Sequence, residues 1–562
     1  MKTRIIKIFW MIPIFIFLFY FFWSLNLTFP NIGTDFSYFI SHIEAGKLHF
    51  SLHGLFPFRF TPDFCGGMPQ YGNPHDIYYS LIQLLSFFLD TWLSIQIGIT
   101  AALLVGYFGW YRFGLDVIFL PKKWAHLLSF VILTNGFYFM HMIVGHVAYH
   151  TIPLIGLLLW ILLKDSKETG RSLVAKAGLF SLIVAYIFYA SGYFVLFITA
   201  CALVLAVPII LIIHALHGRN MRSLILTFNA RWYICGVAAI LVCLSKLIAI
   251  YSLMQFFPRF GPFDQFLVDF PTYVIRAFWA MPQEMRLFLP AAIWGVHEYS
   301  MLLSPITLLG LLFGIPLLVD SKTFWKKKWI LALALCLYII FLALFFEQFV
   351  RGQGMLINPL KRLPIFSSWH LNVRFLYIPS LAFSILSIWC IEKFMRLLNA
   401  KNYEIVIIIA SYAITIIALI FAYHFLLYSN DLNRGTNYYE FQMANDLKFH
   451  DTSMTKSVNT CEDPVYIGGG KVRIKPLSSA PAHMIERGFF NLYNPACLQY
   501  PMENNCSPGD RISEEDVVNF EMFRSRESTT WKISRAQMLS DWLSLFMIIW
   551  SIVCISHHWK HL

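Results

Sequence analysis

The residues best suited to chemistry lie in one polar stretch, residues 33 to 79, between two long apolar runs. This stretch contains Asp35, Glu44, Arg59, Asp63, His75 and Asp76. A connection of this length far exceeds the few residues that join neighbouring helices. We therefore predict that it forms part of a functional site.

Asp35 follows the first apolar run in the extended context TDFSYF, which predicts a position just outside the bilayer. A carboxylate there can deprotonate an acceptor hydroxyl, the step that a sugar acceptor needs before it attacks an anomeric carbon. Thr34 and Asp35 also precede a predicted helical stretch from Ser37 to Lys47, so Asp35 can instead cap that helix. Both interpretations stay open.

Asp63, His75 and Asp76 surround the turn-rich run PDFCGGMPQYGNPHD. Its glycines and prolines specify an irregular backbone, and rigid irregular loops often position substrate groups. We predict that these three side chains line a substrate pocket. Asp76 has an alternative role as the cap of a helix predicted to start at Ile77.

Lys246 lies well inside an apolar run, LVCLSKLIAIYSLMQFFPR. A central Lys costs about 2.5–3.5 kcal/mol on membrane-insertion scales, so such a residue usually faces a cavity or pairs with an anion. A lipid phosphate is a suitable partner. Snorkelling of the side chain toward the outer surface is the alternative.

Two further polar groups stand at the start of predicted spans. His297 and Glu298 lie in WGVHEYSMLLSP, and His370 and Arg374 lie in SSWHLNVRFLYIPS. Arg holds a phosphate through two parallel hydrogen bonds and neutralises a phosphate leaving group. Arg374 is therefore the best candidate for donor-phosphate binding, with an interfacial anchor as the alternative. We assign His297, Glu298 and His370 to the substrate pocket.

The remaining histidines and the cysteines give little support for a metal. We interpret His75, His141, His146 and His150 as interfacial histidines, because helical spacing cannot be assumed through Gly145. No DxD pair occurs in the first loop, and no CxxC or Cys/His pair has zinc spacing. No metal and no cofactor are therefore predicted, although a divalent metal is not excluded.

Composition indicates a polytopic helical membrane protein. Hydrophobic residues make up 58% of the 562 positions and charged residues 13%, and apolar runs of roughly twenty residues recur. About twelve spans are predicted, the last eleven near 77–110, 124–142, 147–163, 172–189, 193–214, 232–255, 299–319, 329–346, 375–395, 404–427 and 538–556. The net charge of +12 comes largely from basic clusters between spans, which favours membrane orientation over nucleic-acid binding.

The positions of these clusters predict that both termini are cytoplasmic. The predicted transmembrane core covers residues 1–427 and has long outer loops at 30–76, 256–298 and 347–374. Residues 428–537 change composition, and SVNTCEDPVYIGGGKVRIKPL is typical of two short strands. We predict a small extracytoplasmic α+β domain there, followed by a final helix and cytoplasmic tail at 538–562. A disulfide among Cys65, Cys461, Cys497 and Cys506 is plausible, with its pairing open.

Four stretches resemble the YfhO-like bacterial membrane proteins of the GT-C glycosyltransferase superfamily. They are TPDFCGGMPQYGNPHD, SKLIAIYSLMQFFPR, HEYSMLLSPITLLGLL and WHLNVRFLYIPSLAFSIL. The resemblance covers most of the predicted membrane core. It implies a GT-C-like all-α fold and an inverting glycosyltransferase in the bacterial cytoplasmic membrane. Its partners would be membrane lipids, a polyprenyl-phosphate sugar donor and a glycan, lipid or protein acceptor at the cell envelope.

In that picture Asp35 matches the first-loop acid and would be the general base. Arg374 and Lys246 match basic positions suited to the lipid phosphate, and His297 and Glu298 would line the donor or acceptor pocket. Asp35 differs from many members of the superfamily in having no adjacent acid. A transporter or flippase of a lipid-linked sugar is the alternative function, motivated by Lys246 and the many spans.

Overall fold

The computed structural model describes residues 12–24, 35–59, 70–164, 170–216, 221–256, 269–288, 295–320, 329–351, 354–360, 362, 372–428 and 533–558. Within these ranges the chain is helical and has no strand. The α-helices are α1 Ile12–Ser24, α2 Asp35–His53, α3 Leu81–Ser86, α4 Thr91–Asp116, α5 Lys122–Leu133, α6 Gly136–Val144, α7 Ile155–Leu163, α8 Gly170–Tyr189, α9 Tyr193–Leu216, α10 Met221–Phe256, α11 Phe270–Trp279, α12 Pro282–Phe288, α13 Val296–Tyr299, α14 Pro305–Asp320, α15 Trp329–Arg351, α16 Ile357–Leu360, α17 Tyr377–Leu397, α18 Glu404–Tyr428 and α19 Arg535–His558. Short 3₁₀ helices occur at Val147–Leu154, Asn372–Leu376 and Lys401–Tyr403.

Six helical segments in this part of the chain are long and apolar enough to cross a membrane. They are Thr91–Asp116, Gly170–Tyr189, Arg231–Ser252, Val373–Leu397, Glu404–His424 and Arg535–His558. Helices α5 and α6 make a seventh if the pair, which bends by 42°, is one broken span. The described part of the chain therefore has the architecture of an all-α membrane protein.

Several helices follow the predicted boundaries closely, and others differ from them. The run predicted at 77–110 is two helices, because Asp90 caps a new helix by accepting hydrogen bonds from the backbone of Trp92 and Leu93. The run predicted at 232–255 is the end of α10, a helix of 36 residues. Most of residues 428–537, with the predicted strands and Cys461, Cys497 and Cys506, lies outside the described residues, as does Cys65.

Helices α8, α10 and α19 pack together through serines. The hydroxyls of Ser181 and Ser551 are hydrogen-bonded at 2.8 Å between α8 and α19. Ser544 of α19 donates to the carbonyl oxygen of Leu241 on α10 at 3.0 Å and accepts from the backbone nitrogen of Ser245 at the same distance. Small side chains let helices approach closely, and interhelical hydrogen bonds then add to van der Waals contact. The C-terminal helix is thereby joined to the earlier core.

Helix α4 lies at the centre of a second group of helices. Trp92 and Trp110 on α4 and Trp124 on α5 are buried. On another face of α4, Gly106 lies against the 3₁₀ helix, and a Cβ there would lie 2.3 Å from Cβ of Pro153. This close approach holds the chain that follows α6 against α4.

We expect Gly106→Ala to lower thermal stability, because the added methyl has to displace both the ring and the backbone of Pro153. Overpacking of this kind typically costs about 1–3 kcal/mol. The measurement is the midpoint of heat-induced unfolding in detergent, followed by tryptophan fluorescence. Gly236→Ala on α10 is the matched control, because a Cβ there meets no atom within 4 Å. Equal shifts for the two variants would contradict the close contact at Gly106.

Candidate functional site

Two buried ion pairs join four distant segments of the chain. Asp76, in the turn before α3, pairs with Lys246 on α10. Glu298, on the short helix α13, pairs with Arg374 on the 3₁₀ helix before α17. Charged groups removed from water in this way are retained when they are paired and hydrogen-bonded. These pairs place charged side chains inside the described core.

Arg374 binds Glu298 through two hydrogen bonds. Its Nε donates to Oε2 of Glu298 at 2.6 Å, and its Nη2 donates to Oε1. Its Nη1 donates to the hydroxyl of Tyr149 at 2.6 Å, and the guanidinium also lies over the rings of Tyr149 and Phe194. Bidentate arginine–carboxylate pairs combine strength with a defined geometry. Arg374 is therefore held in one orientation.

Three histidines surround the same carboxylate. Nε2 of His141 lies 3.3 Å from Oε2 of Glu298, while Nε2 of His297 and Nδ1 of His146 lie 3.6 Å and 3.9 Å from Oε1. The ring centroids of the histidines are 4.9–5.3 Å apart. Glu298, Arg374, His141, His146 and His297, together with Tyr149, form what we term the Glu298 cluster.

The local backbone explains how His141 and His146 reach one carboxylate. Helix α6 ends at Gly145, which adopts the left-handed conformation with φ of 97°. The backbone nitrogens of Gly145 and His146 then donate to the carbonyl oxygen of His141 at 3.2 Å and 2.9 Å. A left-handed glycine is a common way to end a helix and turn the chain back. The turn brings His146 beside His141.

The break between α5 and α6 positions the other half of the cluster. Asn135 caps α6, and the backbone nitrogens of Gly136 and Phe137 donate to the carbonyl oxygens of Leu302 and Met301 at 3.1 Å and 3.2 Å. The same extended segment donates from Met301 to Ala277 on α11 at 2.7 Å. These bonds hold the segment that follows α13, and so they keep Glu298 near α6.

The charge of Glu298 depends on its partners. Burial raises the pKa of this carboxyl, but Arg374 and His141 lower it more strongly, so the pKa lies well below its usual range. Glu298 is therefore a carboxylate at neutral pH. The resulting arrangement is an ionised acid held by a fixed cation and surrounded by imidazole nitrogens.

The second ion pair is more deeply buried. Nζ of Lys246 donates to Oδ2 of Asp76 at 2.7 Å, and the two side chains are 1% and 2% exposed. Oδ1 of Asp76 accepts from Nε2 of Gln70 at 3.2 Å and from the backbone nitrogen of Tyr78 at 3.1 Å. Every oxygen of this carboxylate is thus engaged. Lys246 does not snorkel to a surface but anchors the irregular turn to α10.

A third pair extends this polar region toward α19. Arg59 forms an ion pair with Asp541, which also accepts from Ser245 on α10. Both cations lie against the ring of Tyr71, whose centroid is 5.1 Å from the guanidinium carbon of Arg59 and 5.0 Å from Nζ of Lys246. The first loop, α10 and α19 therefore share one network of charges and hydrogen bonds.

Aromatic contacts at the start of α9 connect the two ion pairs. His75 precedes Asp76, and its ring centroid lies 6.0 Å from that of Tyr193. The next residue, Phe194, stacks on Tyr149 at 5.5 Å and lies under Arg374. The first-loop turn and the Glu298 cluster are therefore neighbouring parts of one polar region.

The predicted site residues divide into three sets. The structure brings His297, Glu298 and Arg374 together in one cluster. It joins Asp76, with the preceding His75, to Lys246 in another. Helix α2 begins at Asp35, but the Asp35 side chain lies outside the described part of the chain. Asp63 and His370 also lie outside it.

His141 on α6 and His150 in the 3₁₀ helix are both fully buried within the protein. One sequence interpretation is wrong. The helix predicted to start at Ile77 begins instead at Leu81, where the Ser80 hydroxyl accepts from the backbone nitrogen of Gln83. Asp76 therefore does not cap that helix.

Sequence reasoning missed several members of the polar region. From the sequence, Tyr149 and Asp541 are not singled out, and His141 and His146 are interpreted only as interfacial. Spacing gives no signal for His141 and His146, because two residues five apart do not share a helix face and only the turn at Gly145 aligns them. Asp541 was visible as an acid inside the final apolar helix.

We expect Lys246→Met and Asp76→Asn each to destabilise the protein strongly, because each leaves one buried charge without its partner. Such losses are typically about 3–5 kcal/mol. The double variant should lose less than the sum of the single losses, which thermal unfolding in detergent measures. Glu347→Gln with Arg351→Met is the matched control, since that pair is one turn apart on α15 and partly exposed. Strictly additive losses at Asp76 and Lys246 would contradict direct coupling.

Comparison of the chain with protein-family models, with curated proteins and with solved structures finds no significant match. Of the four sequence stretches quoted above, two contain the Asp76–Lys246 pair and the other two contain the Glu298–Arg374 pair.

Proposed function

We propose that this protein is an inverting glycosyltransferase of the GT-C type. It would move a sugar from a polyprenyl phosphate to a cell-envelope acceptor at the outer face of the bacterial cytoplasmic membrane. One observation carries the proposal: the four stretches that resemble this family meet in pairs through Asp76–Lys246 and Glu298–Arg374. In a membrane protein, buried ionisable groups mark functional positions more often than scaffolding positions.

Asp35 is the proposed general base, and the position of α2 supports this role. A Cβ on Gly145 would lie 2.4 Å from the backbone nitrogen of Phe36, so the first turn of α2 packs against the turn that carries His146. The first turn of α2 is thus close in space to the turn that carries His146 of the Glu298 cluster. A helix N-terminus also favours the ionised form of an acid, which is the form that accepts a proton.

Arg374 is the proposed ligand of the donor phosphate. Its guanidinium has five N–H donors, of which the bonds to Glu298 and Tyr149 use three. The fixed orientation of the group lowers the cost of ordering it when a phosphate binds. Glu298 would then act as the positioning residue for Arg374.

Lys246 is less suited to the phosphate than Arg374. Its charge is already neutralised by Asp76 at 2.7 Å, and its side chain is buried. To reach a lipid phosphate, Lys246 would have to leave the carboxylate of Asp76. Among the described residues, no other cation lies as close to Asp76 as Lys246 does. We therefore assign Lys246 to holding the first-loop turn, with His75 and Asp76, beside the site.

In the proposed reaction, Asp35 is the base and Arg374 binds the leaving phosphate. The base accepts the proton of an acceptor hydroxyl while the acceptor oxygen forms a bond to the anomeric carbon. The bond between that carbon and the phosphate oxygen breaks, and the electron pair leaves with the polyprenyl phosphate. Arg374 stabilises the charge on this leaving group. Attack from the face opposite the phosphate inverts the anomeric carbon.

A transporter or flippase of a lipid-linked sugar is the second candidate. The ion pairs Asp76–Lys246 and Arg59–Asp541 favour it, because each contains a charge within an apolar span. Paired charges of this kind occur along substrate pathways in transporters. The two functions differ in whether the bond from sugar to phosphate is broken.

We expect Asp35→Asn to abolish sugar transfer without loss of protein, because the amide cannot accept the proton. General-base removal typically costs about 10²- to 10⁴-fold in rate. In a deletion strain, mass spectrometry of envelope glycans should show a missing sugar that wild-type protein restores and Asp35→Asn does not. Asp116→Asn is the matched control. Asp116 is the last residue of α4, a helix of 26 residues, and lies about 39 Å from the first residue of that helix, which is the end near α2.

Restoration of the sugar by Asp35→Asn would remove Asp35 from the mechanism. The location of the lipid-linked donor in the deletion strain then separates the two functions. A transferase defect leaves the donor on the outer face, where a membrane-impermeant oxidant destroys its sugar. A flippase defect leaves the donor on the inner face, protected from that oxidant.

A further inference from the structure

We propose that His141, His146 and Glu298 bind a divalent transition-metal ion, with His297 as a neighbouring fourth donor. The potential ligand atoms of His141, His146 and Glu298 all lie within 4.8 Å of one another. Imidazole and carboxylate groups together suit zinc and its neighbours in the first transition row. The inference does not depend on sugar transfer, because metal binding tests it directly.

The hydrogen bonds of His141 favour a cation between its ring and Glu298. Its Nδ1 lies 2.7 Å from the carbonyl oxygen of Phe137, which can only accept, so Nδ1 carries a proton. In the neutral ring Nε2 then presents a lone pair, and this atom faces Oε2 of Glu298 at 3.3 Å. Two lone pairs at this distance repel unless a proton or a metal cation lies between them.

A histidine whose second nitrogen donates to a backbone carbonyl is the usual arrangement of a metal ligand. The bond to the carbonyl fixes both the tautomer and the direction of the ring. At His141 that direction is toward Glu298, and the side chain is fully buried. A metal ion would replace the proton that a buried imidazolium otherwise requires.

His146 and His297 complete the donor set from the more accessible side. Their side chains are 14% and 15% exposed, so a cation can approach past them. For tetrahedral zinc at about 2.0–2.2 Å from its ligands, the donor atoms lie roughly 3.3–3.6 Å apart. The ligand atoms of His141, His146 and Glu298 are separated by up to 4.8 Å. These side chains would therefore have to move inward by about 1 Å to coordinate the ion.

Arg374 does not block this site. A carboxylate has about four lone-pair positions, and the bidentate bond from Arg374 uses one on each oxygen. His141 lies on the Oε2 side, while His146 and His297 lie on the Oε1 side. The arginine then orients the carboxylate from behind, as outer hydrogen-bond partners do in metal sites.

The test uses the full chain in detergent, carrying His557→Gln and His558→Gln to remove the exposed His557 and the partly exposed His558 at the end of α19. The protein is stripped with a chelator, loaded with Zn²⁺ or Co²⁺ and dialysed. We expect about one metal per chain by elemental analysis and the intense visible bands of tetrahedral Co²⁺. His146→Gln should weaken Zn²⁺ binding by at least about tenfold.

His126→Gln is the matched control, because His126 on α5 bonds to the Tyr107 hydroxyl and lies outside the Glu298 cluster. It should bind metal like the parent. His297→Gln serves as a second variant, since its side chain is partly exposed. Less than stoichiometric metal in the parent protein, or equal affinities for His146→Gln and His126→Gln, would overturn the proposal.

Discussion

The cost of burying charge in an apolar protein governs this structure. An unpaired charge in such surroundings costs several kcal/mol, and removing one member of a pair leaves that cost unopposed. Lys246 and Asp76 are both nearly inaccessible, as is Glu298 beside Arg374. Each pair joins segments far apart in the chain. The helices that carry these residues therefore have to assemble so that the opposite charges meet.

Breaks in helices allow these charged residues and their neighbours to come into contact. An unbroken helix would carry residues 122–144 straight through the core, but the bend at Thr134 and Asn135 exposes backbone donors to the segment before α14. Gly145 then reverses the chain so that His146 returns to His141. Broken helices in membrane proteins need such partners, because freed backbone groups must be satisfied within the protein.

The polar region combines rigidity with reactive groups. Arg374 is fixed by Glu298 and by Tyr149, and Asp76 is fixed by Lys246 and by Gln70. Around these fixed charges lie His75, His146 and His297, which are partly exposed. Preorganised charges next to accessible donors suit the binding of an anionic lipid phosphate, and the imidazoles suit a metal ion. Both proposals use the same buried carboxylate in different ways.

The sequence by itself determined that the core is a helical membrane protein, because apolar runs long enough to cross a bilayer are a local property. It also identified Lys246, Glu298 and Arg374, since a charge in or beside an apolar run is conspicuous whatever the fold. Tertiary structure alone decided the partners. Asp76 contacts Lys246, which is 170 positions later in the sequence, and Glu298 contacts Arg374, which is 76 positions later. No local spacing encodes such contacts, and His141 and His146 align only through the left-handed turn at Gly145.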